Sequence, residues 1–153
     1  MDSPDLRKQA AKKKAPSPRR DGREAAVQYL YGLDLQAEGS LNPAKLAEFW
    51  ELRLAKEFVQ NFAGELLAGV DQHLEDIDTA IRGALQNFSF HRLTTVDRSI
   101  LRVATYEVLF SDQIPAPAAI NEAIEIAKRF GTEESPAFVN GVLDRILQNR
   151  AAE

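Results

Sequence analysis

Few side chains in this 153-residue sequence are spaced for catalysis. Glu122 and Glu125 stand three apart on one helical turn and could share a metal ion. No second helix offers the Glu-x-x-His partner that such a site in a helical bundle uses, so ion pairing explains them better. His73 and His91 are isolated and read as surface or helix-end histidines. There is no glycine-rich phosphate loop, no histidine pair at zinc spacing and no nucleophile elbow. The absence of cysteine excludes thiol nucleophiles, thiolate metal sites and a disulfide framework. The residues therefore point to a protein that catalyses nothing and carries no cofactor.

Binding chemistry is better represented. Residues 1–20 hold seven basic side chains (Arg7, Lys8, Lys12, Lys13, Lys14, Arg19, Arg20) against Asp2 and Asp5, a net charge of +5. The rest of the chain holds 12 basic and 21 acidic residues, a net charge of −9. A basic arm on an acidic body suits a polyanion such as nucleic acid; a solvated tail without a ligand is the alternative. Arg19, Arg20 and Arg23 lie beside Gln28, Tyr29 and Tyr31. Cations engage phosphates while aromatic and amide groups stack on or hydrogen-bond to unpaired bases, the combination that single-stranded RNA sites use. Tyrosines at helical spacing also serve as core or edge residues, so this signal is weak alone.

The elements that position these groups are helical throughout. KKKAPSPRRDG has little to bury and is expected to be disordered, giving a basic arm over residues 1–21 and a helical domain over 22–150. A first helix is expected from Arg23 to Glu38, with Gly39 as its stop. Asn42-Pro43 opens a short second helix toward Trp50. The third sets Phe58, Val59, Phe62, Ala63, Leu66, Leu67 and Val70 inward, and the fourth Leu74, Ile77, Ile81, Ala84, Leu85 and Phe88. Thr94-Thr95-Val96-Asp97 has the form of a capping box and starts a fifth helix, apolar on nearly all sides and therefore central, with Asp97, Arg98, Arg102 and Glu107 as exceptions. IPAP ends it. The sixth helix turns Ile120, Ala123, Ile124 and Ala127 inward, pairs Glu125 with Arg129, and stops at Gly131. In the seventh, Ser135 is the expected N-cap and Pro136 the first-turn proline, followed by Phe138, Val139, Val142, Leu143, Ile146 and Leu147 on one stripe. Asn140-Gly141 is a turn signal inside that helix, and close approach of a second helix is the expected reason for the glycine. No apolar run suffices for a membrane span and no signal peptide is evident, so a cytoplasmic protein is expected.

Three stretches resemble the NusB family of bacterial transcription antitermination factors. They are REAAVQYLYGLDLQ in the first helix, LTTVDRSILRVATYEV in the fifth and AINEAIEIAKRFGTEESPAFVNGVLDRI at the end, in the same order and at familiar spacing over about residue 19 to residue 147. The resemblance implies an all-α fold of about seven helices in two small packed bundles. It also implies pairing with NusE, a small-subunit ribosomal protein, and binding of single-stranded boxA-type RNA in ribosomal RNA leaders, within the transcription elongation complex. The matching RNA-surface positions are Arg19, Arg20, Arg23, Gln28, Tyr31, Lys128 and Phe138. The NusE-facing side would draw on Asp97, Arg98 and Glu107. Some members carry a basic residue before the phenylalanine of FVNG, where this chain has Ala137 preceded by Glu133 and Glu134, and the long arm is expected to supply the missing charge. Two other readings are a self-associating scaffold or regulatory homodimer without a direct RNA role, and an RNA-binding module of ribosomal RNA maturation.

Overall fold

The computed structural model describes residues 17–35, 41–86 and 89–152. The expected arm through residue 16, the helix end at Glu38 with its stop at Gly39, and the inward Phe88 lie outside the described residues. Among the described residues there are seven α-helices and no strand. They are α1 (Pro18–Leu35), α2 (Pro43–Leu52), α3 (Glu57–Gln72), α4 (Leu74–Ala84), α5 (Thr95–Leu109), α6 (Ala116–Phe130) and α7 (Ser135–Ala152), with a 3₁₀ turn at Phe90–Arg92 before α5. Among the described residues no helix is long and apolar enough to cross a membrane.

The first helix starts five residues before Arg23. Ser17 accepts a hydrogen bond from the Arg20 amide at 3.2 Å, Pro18 occupies the first helical position, and Asp21 stands in the first turn. Serine cap, leading proline and early carboxylate together satisfy amide donors and suit the positive end of the helix dipole, so SPRRD starts a helix despite its polarity. Arg19 and Arg20 therefore belong to α1. The seventh helix also departs from expectation. Ser135 is its first residue, buried, with its hydroxyl accepting from the Thr132 amide at 2.9 Å, so it closes the preceding turn instead of capping the helix.

The central place of α5 is as its pattern predicts. Ile100, Leu101, Val103, Ala104 and Val108 are buried, and α5 packs on α1 and α3 to one side and on α4, α6 and α7 to the other. Two small bundles thus share one helix. Its charged residues fasten the neighbours. Arg102 donates two hydrogen bonds of 2.9 Å to Asp78 of α4, Arg98 reaches Asp34 of α1 at 2.6 Å, and Glu107 takes both forks of Arg23 from α1 at 2.7 and 2.9 Å. The α2 helix buries no residue and is held through Asn42, which caps it and receives a bond from the Tyr29 hydroxyl on its carbonyl at 3.3 Å. Phe58, expected inward, is 54% exposed and stacks on Phe62.

Close approach occurs at a different glycine from the expected one. Around Gly141 a built Cβ meets nothing within 4 Å, and the residue is exposed, so no helix packs over it. α7 buries Val139, Val142, Leu143 and Ile146 and leaves Gly141 on its open side, where glycine costs about 1 kcal/mol relative to alanine without a packing gain. At Gly69 of α3, by contrast, a Cβ would overlap the Tyr106 ring of α5. Gly69→Ala is expected to lower unfolding free energy by about 1–2 kcal/mol, overpacking partly offset by better helix propensity. Urea denaturation checks this. In a Tyr106→Ala background the same substitution should cost nothing further, and an equal loss in both backgrounds would exclude the clash.

Candidate nucleic-acid interface

Long side chains join the N-terminal half of α1 to α6 across a seam rich in charge. Arg20, Glu24 and Tyr31 share a side of α1 by helical spacing, as Glu122 and Arg129 do on α6. Arg20 donates through Nε to Glu122 at 2.7 Å, and Arg129 of α6 donates to Glu24 of α1 at 3.1 Å. The two ion pairs cross the seam in opposite directions. Hydrogen bonding from Glu122, reinforced by the nearby Glu125 and Glu24 charges, raises the Arg20 pKa above its ordinary value. Lys128, exposed in the last turn of α6, contacts Glu125 at 3.0 Å. The expected Glu125–Arg129 pair is replaced, because Arg129 points across the seam to Glu24.

Glu24 is the unusual member, with 3% of its surface exposed. Burial pushes its pKa up, and the opposing pull of Arg129 does not cancel the effect. The folded state therefore takes up the proton more readily than the unfolded chain does. The stability gained by protonation is fully present below the ordinary value of 4.5 and is lost as pH rises through the elevated folded value. Glu24→Gln is expected to remove that pH dependence while leaving stability at pH 7 unchanged or higher, because half-exposed Arg129 stays solvated. Thermal unfolding followed from pH 7 to pH 4 in both proteins tests it; a large loss in the variant at pH 7 would contradict it.

The remaining sequence-selected residues divide between surface and interior. Arg19 and Tyr31 are exposed. Gln28 is turned toward the α2–α3 connection, where its amide oxygen accepts from Arg53, whose other fork holds Asp21 at 2.6 Å. Arg23 and Glu107, selected for RNA and for a protein partner respectively, are bound to each other, 5% and 3% exposed, with the Arg23 guanidinium 5.2 Å from the Phe62 ring centroid. Arg98 is half-buried against Asp34 and the Leu93 carbonyl, and Asp97 is buried with Oδ1 lacking a hydrogen-bond partner. Phe138 stands away from the seam, in a groove between α4 and α7. Arg20 and Lys128 thus share a region through Glu122 and Glu125, Tyr31 lies about three turns further along the same side of α1, and Gln28 and Phe138 border other features. Sequence reasoning missed Arg53 and Arg129. Arg129 has a local i−4 partner that masks its tertiary one, and nothing local distinguishes Arg53.

Helices alone, two bundles sharing α5, and a paired-charge seam bordered by exposed cations and a tyrosine define an all-helical protein with a surface suited to binding. The family model described as NusB family matches residues 20–148. Over 128 residues, spanning 84% of this chain and 92% of the relative, the chain is 50% identical to the transcription antitermination protein NusB of Geobacter sulfurreducens. It belongs to the NusB family. Among solved structures, T. maritima NusB is 39% identical with a TM-score of 0.74, covering 88% of this chain and 93% of that one. A structure of the antitermination factors NusB and NusE in complex with double-stranded RNA is 29% identical with a TM-score of 0.76, covering 86% and 97%.

Proposed function

We propose that this protein is an RNA-binding adaptor of transcription antitermination. It binds boxA-type single-stranded RNA of ribosomal RNA leaders together with the ribosomal protein NusE, acts within the transcription elongation complex in the cytoplasm, and catalyses no reaction. The observation that carries the reading is the structural similarity to a chain solved in a complex of NusB, NusE and double-stranded RNA, over nearly the whole helical domain. The α1–α6 seam supports it, because Lys128 is an exposed cation beside it and exposed Tyr31 continues the same side of α1.

The roles divide by exposure. Arg20, Tyr31 and Lys128 contact RNA on the seam, Arg19 contacts it from the α3–α5 side of α1, Phe138 contacts it from α7, and Gln28 orients Arg53 at the edge. Arg23 and Glu107 are positioning residues that fix α1 on α5. The NusE-facing side includes Arg98 at the start of α5, with Asp97 buried beside it.

Fluorescence anisotropy with a boxA-type RNA and a scrambled RNA of equal length, each with and without NusE, tests the reading. Sequence-selective binding strengthened by NusE is expected. Weak, unselective binding indifferent to NusE would overturn it in favour of self-association. The observation favouring that second reading is an apolar patch of Leu52, Leu54 and Phe58, 91%, 85% and 54% exposed. Light scattering would then show a homodimer in the absence of NusE.

A further inference from the structure

Leu52 and Leu54 are almost wholly exposed and Phe58 more than half exposed, and all three fall on the short connection between α2 and α3 or on the helix ends that flank it. Side chains hold that connection in place. Arg53, between the two leucines, donates to the Gln28 amide oxygen at 2.5 Å and to Asp21 at 2.6 Å, both on α1. Gln60 of α3 donates to the Ala55 carbonyl at 2.9 Å. Phe58 lies parallel to Phe62 with ring centroids 6.3 Å apart, and Phe62 in turn packs against Gly22 of α1, where a Cβ would overlap its ring. The apolar groups are therefore presented in fixed positions that the fold itself does not bury. Three carboxylates stand with them: Glu48 one helical turn before Leu52, Glu51 at the end of α2, and Glu57 in the first turn of α3. All three are exposed, and none is ion-paired among the described residues.

We infer that this surface docks a basic amphipathic segment of a partner protein, which sets apolar side chains against Leu52, Leu54 and Phe58 and lysines or arginines against Glu48, Glu51 and Glu57. An apolar patch rimmed by polar groups is the usual mark of a protein contact. Charge decides among the occupants. RNA fits poorly, because three unpaired carboxylates face its phosphates and exposed Lys56 offsets only one of them. A second copy of this chain matches the apolar groups but not the rim, since a two-fold contact brings both sets of carboxylates together. The NusE-facing side proposed above lies elsewhere: Arg53 ties the patch to Asp21, whereas Arg98 reaches Asp34, about 20 Å further along α1. A basic partner docked here brings its cations to the same end of α1 as Arg20, whose own charge is held by Glu122. The inference goes beyond the RNA-binding reading and stands or falls apart from it.

The test uses the full chain and Trp50, the single tryptophan of the sequence, which stands two residues before Leu52. Its fluorescence is followed while a tryptophan-free peptide with leucines at helical spacing and lysines between them is added. The same peptide with glutamates in place of the lysines is titrated alongside. The lysine peptide is expected to shift the emission and, at low salt, to bind about ten-fold more tightly than the glutamate peptide. Leu52→Asn/Leu54→Asn should weaken the lysine peptide about ten-fold or more, with the melting temperature unchanged because neither leucine is buried. Glu48→Gln/Glu51→Gln/Glu57→Gln should bring the two peptides to equal affinity. Lysine-peptide binding indifferent to the leucine substitutions would overturn the inference, as would equal affinity of both peptides for the unsubstituted chain. Light scattering that showed a homodimer made monomeric by the leucine substitutions would also overturn it and assign the patch to a second copy. Loss of boxA-type RNA or NusE affinity in the leucine variant would overturn it in favour of that ligand.

Discussion

Glu107→Ala is expected to lower the free energy of unfolding by about 3–5 kcal/mol, the range seen when one member of a buried ion pair is removed. Glu107 and Arg23 are both almost wholly buried and share two short hydrogen bonds, so the truncation leaves a guanidinium inside the protein without its counter-charge. Domains of this size are stable by roughly 5–15 kcal/mol, so the loss is a large part of the total. Arg23→Ala should do similar damage. The double substitution Arg23→Met/Glu107→Leu should recover most of it, because the charges' desolvation penalty disappears with them. Urea denaturation of the four proteins measures the losses and the recovery. If Glu107→Ala instead left stability intact and weakened only NusE binding, Glu107 would be a contact residue and not the fastening of α1 to α5.

That pair shows where reading the chain along its length succeeds and where it stops. Local periodicity identified seven helices, and the apolar wrap of α5 identified the shared one, because both follow from which neighbours lie three and four residues away. The same pattern marked Asp97, Arg98, Arg102 and Glu107 as exceptions on α5 without saying what they meet. Three of their partners, Asp34, Asp78 and Arg23, come from other helices, 64, 24 and 84 residues away in sequence. A local rule cannot supply such partners. For Arg129 it supplied the wrong one, since Glu125 is available at i−4 and Glu24 lies 105 residues away.

Helix ends failed for a related reason. The Ser-Pro logic was applied at residue 135, where the serine closes a turn, and withheld at residue 17, where it starts a helix, because the polarity of SPRRD suggested disorder. Composition governs whether a segment can bury surface, whereas a cap acts on backbone donors and needs no burial. Gly141 reversed in the same way. Its neighbours in sequence place it on a packing helix, but the azimuth of a single residue relative to an unknown second helix decides whether it is covered.

Deleting residues 1–16 is expected to produce the largest change in RNA affinity. The seam of the folded domain is short of unpaired positive charge: Arg20 is held by Glu122, Lys128 by Glu125 and Arg129 by Glu24, and beyond it Arg53 is held by Asp21. A phosphate must displace a carboxylate to reach any of them, and each exchange returns little net free energy. Ala137, with Glu133 and Glu134 before it, adds no cation at the start of α7. The deleted stretch carries Arg7, Lys8, Lys12, Lys13 and Lys14 against Asp2 and Asp5. If those five cations each neutralise a phosphate of a single strand, they contribute about 3.5 to the slope of log K against log salt. A four-fold rise in salt should then weaken the full chain roughly a hundred-fold more than the truncated one. Anisotropy titrations of both proteins across that salt range measure the difference, and circular dichroism checks that the helices remain. A truncated protein with the full slope would mean that the seam carries the phosphate contacts itself and that its carboxylates yield to RNA without help from the arm.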